Sequence, residues 1–123
     1  MTIFETKVNG YGENAAAFKE ENMVVLFGND APADLADFCY IIDVNPINGE
    51  IEAGDILSLD DSEYTITAVG NVVKTNLTNL GHITLNFSGE TEAEVAGTLY
   101  VENKEIVDLK EDSVVKIIKK NWF

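Results

Sequence analysis

Apolar and polar residues alternate in short runs along most of this chain, and turn-forming residues interrupt the runs at close intervals. Half-buried β-strands produce that pattern. The plainest case is Ile56-Leu57-Ser58-Leu59, then Asp60-Asp61-Ser62, then Glu63-Tyr64-Thr65-Ile66-Thr67-Ala68-Val69, which reads as two strands joined by a tight turn. In the second strand Tyr64, Ile66 and Ala68 share one face and Thr65, Thr67 and Val69 the other, so Tyr64 and Ile66 are expected to point inward. Further strands are expected at Ile3 to Val8, Met23 to Phe27, Phe38 to Val44, His82 to Phe87, Thr98 to Val101 and Val114 to Lys119, where β-branched and aromatic residues concentrate.

Helical spacing is clear only in Asn71 to Leu80, where Val73, Leu77 and Leu80 recur on one face. Asn71 is placed to cap the start of that helix and Gly81 to end it. Shorter helical turns are expected at Glu13 to Glu20 and around Pro32 to Asp37, proline being suited to a first turn. Many short strands with few helices predict an all-β fold: a barrel or sandwich of short, mostly antiparallel strands with one to three short helices. The residues form no internal repeat, low-complexity tract or linker, so a single domain is expected over residues 1–123.

Composition adds limits. A chain of 123 residues with 46% hydrophobic residues has the material for one core, and folding at this size removes roughly two-thirds of the extended surface from water. No apolar run approaches the ~20 residues that span a bilayer. The N-terminal Met1-Thr2-Ile3-Phe4-Glu5-Thr6-Lys7 lacks the charged start and apolar centre of a secretory signal. A cytoplasmic protein without direct membrane insertion is expected. Cys39 is the sole cysteine, which rules out an internal disulfide or a multi-cysteine zinc site. The 22 acidic residues against 8 lysines give a net charge of −14. Such a surface repels the phosphates of DNA and RNA, and it attracts a basic protein face as well as aiding solubility.

Several residues invite a chemical reading. Gly10-Tyr11-Gly12-Glu13-Asn14-Ala15 matches a dinucleotide-binding glycine pattern with Asp30 downstream. The preceding strand alternates where a buried parallel strand would run continuously apolar, and later βαβ units are missing, so a glycine turn is the expected role. Asp60, Asp61 and Glu63 lack the ligand ladder and central glycine of a calcium loop and are expected to form a solvated turn. Asp30 and Asp34 put negative charge where an anion would have to bind at the Pro32 helix start. Cys39, in Phe38-Cys39-Tyr40-Ile41-Ile42, has no neighbouring cation to hold a thiolate and reads as a core residue. Asp43 lacks a cation or metal partner that would let it accept a phosphoryl group. No cofactor or metal is called for.

His82 is the only histidine, so any chemistry that needs imidazole falls to it. In His82-Ile83-Thr84-Leu85-Asn86-Phe87 the apolar residues take one face and His82, Thr84 and Asn86 the other, which leaves His82 reachable. Its place just after a helix end suggests that free carbonyls orient one ring nitrogen and favour the protonated ring. An ordinary surface histidine satisfies the same pattern.

Three segments taken together, Ala31-Pro32-Ala33-Asp34-Leu35-Ala36-Asp37-Phe38-Cys39-Tyr40-Ile41, Thr67-Ala68-Val69-Gly70-Asn71-Val72 and Asn76-Leu77-Thr78-Asn79-Leu80-Gly81-His82-Ile83-Thr84-Leu85-Asn86-Phe87, resemble the glucitol/sorbitol-specific IIA component of the sugar phosphotransferase system. Ala93-Glu94-Val95-Ala96-Gly97-Thr98 extends the resemblance over most of the chain. The resemblance implies a cytoplasmic phosphocarrier that takes a phosphoryl group from HPr on a histidine and passes it to the IIB part of a IIB/IIC permease. It also implies that this histidine follows Phe38-Cys39-Tyr40-Ile41 directly, where this chain has Ile42. Two expectations remain: His82, which matches another histidine of the pattern, is the acceptor, or the chain is a phosphorylation-incompetent homologue with a regulatory or scaffolding role. Phe38, Tyr40, Ile42 and Val44 are available to the core or to a docking patch, core being expected, and the tail Lys119-Lys120-Asn121-Trp122-Phe123 to packing at home or against a neighbour.

Overall fold

In the computed structural model, which describes residues 1–120, the expected strands close on one another. Asn121, Trp122 and Phe123 of the tail lie outside the described residues. The elements run β1 (Thr2–Tyr11), a 3₁₀ helix (Ala15–Glu21), β2 (Met23–Gly28), α1 (Ala33–Ala36), β3 (Tyr40–Ile42), β4 (Ile56–Leu59), β5 (Ser62–Val69), α2 (Val73–Leu80), β6 (Ile83–Asn86), β7 (Thr98–Val101) and β8 (Val114–Ile118). Among the described residues they form a closed barrel in the order β1-β3-β2-β6-β7-β5-β4-β8. The pairings β2–β3 and β6–β7 are parallel and the others antiparallel. Closure removes the free edges that an open sheet of this size would leave.

The side-chain period decides which face fills the barrel. In β5 Tyr64 and Ile66 are each 1% exposed while Thr65 and Thr67 face outward. The Tyr64 hydroxyl donates to the carbonyl of Glu105 at 2.7 Å and accepts the N–H of Val107 at 3.1 Å, so its polar end is satisfied in the interior. Phe87 meets the Tyr64 ring edge-on at 5.0 Å. Leu26, Ile42, Leu57, Ile83, Leu85 and Val101 belong to the same cluster.

Local expectations changed where backbone replaced side chains. Asn71 does not cap α2; Val72 holds the cap position with no side-chain bond, and the N–H groups of Val72 and Val73 donate to Ala96 and Gly70. Gly81 does end the helix, at φ 69°. Pro32 stands one place before α1, outside its first turn. Asp60 is no simple solvated turn. At φ 53° its carboxylate accepts the Ser113 hydroxyl at 2.9 Å and the Val114 N–H at 2.8 Å, tying the β4–β5 turn to β8. Gly12 also has a structural role: β1 is antiparallel to both neighbours, and a Cβ there would run into the carbonyls of Ala36 and Asp37. That arrangement is incompatible with a βαβ nucleotide site. The sequence has no repeat, yet the backbone has one: exchanging β1 with β5, β2 with β6, β3 with β7 and β4 with β8 leaves the ring order unchanged.

Candidate functional site

The end of β2, the end of α2 and the start of β6 converge at one rim of the barrel. Gly81 turns the chain back from α2 because its φ of 69° is a conformation side chains resist. Its missing side chain also permits close approach: a Cβ there would sit 2.9 Å from the Gly28 nitrogen and 3.2 Å from Val44 Cγ2. Gly28 is equally tight, since its Cβ would lie 2.5 Å from the Leu80 carbonyl oxygen. Two glycines therefore clamp helix end against strand end and hold His82, which enters β6, in a defined place.

The antiparallel register Leu26↔Ile83 brings Phe27 opposite His82 on the outer face of the barrel. The two rings stack with centroids 4.4 Å apart and an interplanar angle of 16°. Phe27 is 7% exposed and His82 half-buried, so the imidazole stacks on a buried apolar ring while remaining partly exposed itself. Phe27 also lines a cleft of about 250 Å³ with Asp30, Pro32, Val44, Asn79 and Leu80.

The expected orientation by helix carbonyls does not occur. Two of the carbonyls at the helix end accept backbone instead, Gly81 N–H donating to Leu77 at 3.0 Å and His82 N–H to Asn76 at 3.3 Å. Among the described residues the ring nitrogens of His82 have no hydrogen-bond partner. Burial lowers the His82 pKa from the ordinary histidine value of 6.5, opposite to the expected preference for the protonated ring. A neutral imidazole with an available lone pair is therefore favoured at neutral pH.

The other candidates separate from this rim chemistry. Ile42 pairs with Gly28 in the parallel β2–β3 register and is fully buried at 0% exposure, its side chain in the barrel core. Asp43, the next residue, is turned outward. Its Oδ1 accepts from Asn9 Nδ2 at 2.7 Å and from Asn29 Nδ2 at 3.4 Å, and these bonds, Asn9 first, hold the carboxyl below its usual range. Cys39 is buried and donates to the Leu35 carbonyl at 3.1 Å, and burial pushes its thiol up, as befits a core residue. Tyr40 joins Ile42 in the core, whereas Phe38 and Val44 are exposed, so the expected core set divides. Among the described residues no group of acidic, histidine or cysteine side chains is arranged to hold a metal ion. Larger hollows of about 600 and 560 Å³ lie against Lys19 and Lys104 and against the Asp60 turn, and neither contains an imidazole or a thiol.

Phe27 and the Asn9–Asn29 clasp escape a reading of the sequence alone. Phe27 carried one faint signal, its place on the Met23-Val25-Phe27 face, opposite the inward Val24 and Leu26.

No helix among the described residues is long and apolar enough to cross a membrane. The model of the PTS system glucitol/sorbitol-specific IIA component family matches residues 3–116. The glucitol/sorbitol-specific EIIA components of Shigella flexneri and Escherichia coli (strain K12) are each 37% identical over 114 residues, which is 93% of this chain and 93% of theirs. A crystal structure of a PTS system IIA component from Enterococcus faecalis V583 superimposes with a TM-score of 0.81 at 23% identity, covering 94% of this chain and 99% of that one, and shows the same fold. With a stacked imidazole at the rim of this barrel and a family match over nearly its whole length, the chain belongs to the glucitol/sorbitol-specific IIA component family of the phosphotransferase system.

Proposed function

We propose that this phosphocarrier receives its phosphoryl group on His82, from HPr, and hands it to the IIB component of a glucitol- or sorbitol-type permease in the cytoplasm. The observation that carries the reading is the half-buried imidazole stacked on Phe27 with both ring nitrogens unengaged among the described residues. Transfer needs a neutral nitrogen lone pair aimed at phosphorus, and the burial that lowers the His82 pKa supplies it. A nitrogen–phosphorus bond forms on His82 as the donor's bond to phosphorus breaks, the electron pair leaving with the donor. The phosphoramidate so formed is labile enough to pass the group onward. Phe27 limits rotation of the ring, so less orientation has to be achieved at encounter.

The chain provides little positive charge to offset the transferred group, with a net charge of −14 and Asp30 in the adjoining cleft. A basic docking face on the donor is the expected complement. Incubation with phosphoenolpyruvate, enzyme I and HPr, followed by intact mass and acid lability, tests the assignment. One acid-labile phosphoryl group is expected on the native chain and none on His82→Gln. Label that survives in the His82→Gln variant would move the acceptor elsewhere, and an unchanged native mass would overturn the carrier role.

A further inference from the structure

The palindromic ring order extends to individual hydrogen bonds. The β2–β6 pairing is symmetric about Val25↔Thr84, with Val24↔Leu85 on one side and Leu26↔Ile83 on the other. The β4–β8 pairing is symmetric about Ser58↔Lys116, with Leu57↔Ile117 and Leu59↔Val115 flanking it. Every antiparallel ladder has such local symmetry, so these pairs only locate an axis, and the equivalence of the halves rests on features that a ladder does not require. The irregularity between Val8 and Gly10 in β1 against β3 recurs between Ile66 and Ala68 in β5 against β7. Bulges are built features and seldom recur in the same place by accident.

Loops obey the same axis. Gly12 N–H donates to Cys39 and Asn14 N–H to Asp37; Gly70 N–H donates to Thr98 and Val72 N–H to Ala96. A Cβ on Gly12 would strike the Ala36 and Asp37 carbonyls, and one on Gly70 the Ala96 and Val95 carbonyls. Glu52 N–H is capped by the Asp55 side chain at 2.8 Å, and Lys110 N–H by that of Ser113 at 3.0 Å, both caps being 2% exposed. Val8 and Ile66 accept from and donate to the matching turns: Val8 N–H to Ser113 and Asp112 N–H to Val8, Ile66 N–H to Asp55 and Gly54 N–H to Ile66. Gly54 and Asp112 both have positive φ, 98° and 71°.

We infer that residues 1–60 and 61–120 are two copies of one structural unit, each the other's binding partner through exchanged strands, and that the His82 site is composite, formed only across their seam. Exchange is visible in the pairing: β4 of the first unit lies between β5 and β8 of the second, and β8 lies between β4 and β1 of the first. Phe27 and Val44 come from the first unit, His82 and Leu80 from the second. The axis carries the pair Phe27 and His82 onto Asn86 and Met23, which are paired in the β2–β6 register at the other end of the seam. Two equivalent places therefore exist, and one of them holds imidazole chemistry. This inference goes beyond the carrier role and does not need it.

The test transplants the pair. In the full chain Met23→His with Asn86→Phe adds a second imidazole at the equivalent place, and both rings are followed by NMR from acid to neutral pH. The expected result is two histidine signals, each titrating below the ordinary histidine range, with ring-to-ring contacts between the introduced imidazole and the introduced phenyl. An introduced imidazole that titrates as a free side chain in a folded protein would overturn the equivalence. Loss of the fold would count against it as well, because equivalent places accept each other's pairs. Independently, a protease site inserted in the Asp60-Asp61 turn allows the folded chain to be cut between the units. The two pieces are expected to stay together through size exclusion and to keep the His82 titration; their separation would defeat the exchanged-strand partnership. Neither readout involves phosphoryl transfer, so failure here leaves the carrier assignment standing, and the reverse.

Discussion

The Asp60 turn and the His82 rim both place a titratable side chain at an end of the barrel, and they treat it in opposite ways. Asp60 is engaged by the Ser113 hydroxyl and the Val114 N–H. His82 has a stacking partner and, among the described residues, no hydrogen bond to its ring. Satisfied polar groups stabilise a fold, and a polar group left with bonding capacity is available for chemistry. The comparison predicts a clean separation of function from stability between the two regions.

The largest expected effect is on transfer. On the proposed assignment, His82→Gln is expected to abolish phosphorylation by HPr while the thermal midpoint stays near the native value, since the ring gives up one stack and no hydrogen bond. Asp60→Ala should do the reverse: a loss of about 1.5 kcal/mol from two broken bonds and a buried, deprived Ser113 hydroxyl, measured by urea unfolding, with phosphorylation retained once the protein is folded. Equal damage to both properties by either variant would break the comparison. Gly81→Ala sharpens it at the rim, where positive φ and contact with Gly28 make a side chain costly, by about 1 kcal/mol or more, with slower transfer because His82 shifts. Phe27→Leu removes the ring that covers the imidazole; the His82 NMR titration should rise toward the ordinary value with only a modest fall in stability.

The smallest effect is the pH dependence. The folded pKa of His82 lies below its unfolded value, so the native state binds fewer protons in the interval between them. Its contribution to stability is present above the ordinary histidine value of 6.5 and is lost as pH falls through the lower folded pKa. Denaturant midpoints measured across that window should fall more in the native chain than in His82→Gln. A native chain that gained stability on acidification relative to His82→Gln would contradict the direction.

Much of this is legible in the sequence. Alternation placed the β4–β5 hairpin and the inward Tyr64 and Ile66, because a strand's two faces are written two residues apart. The inventory made His82 the sole imidazole, and the polar face of its strand kept it reachable. The cap at Asn71 and the helix-oriented ring failed because backbone took the bonds, from the far side of the chain at Val72, which donates to Ala96, and from the helix's own end at His82, whose N–H donates to Asn76. Local sequence does not show a competitor such as Ala96.

By itself the sequence determined the strand pattern, the charge, the single imidazole and the family, all of which depend on residue type and short spacing. The stacking of Phe27 on His82, the burial of Ile42 beside Gly28 and the two-fold seam were decided only by closure of the barrel. Those features depend on register between strands far apart in the chain, where hydrogen bonds join backbones that carry no residue label. Two halves can therefore share one architecture while their side chains differ, so that an imidazole stands at only one of the two equivalent places.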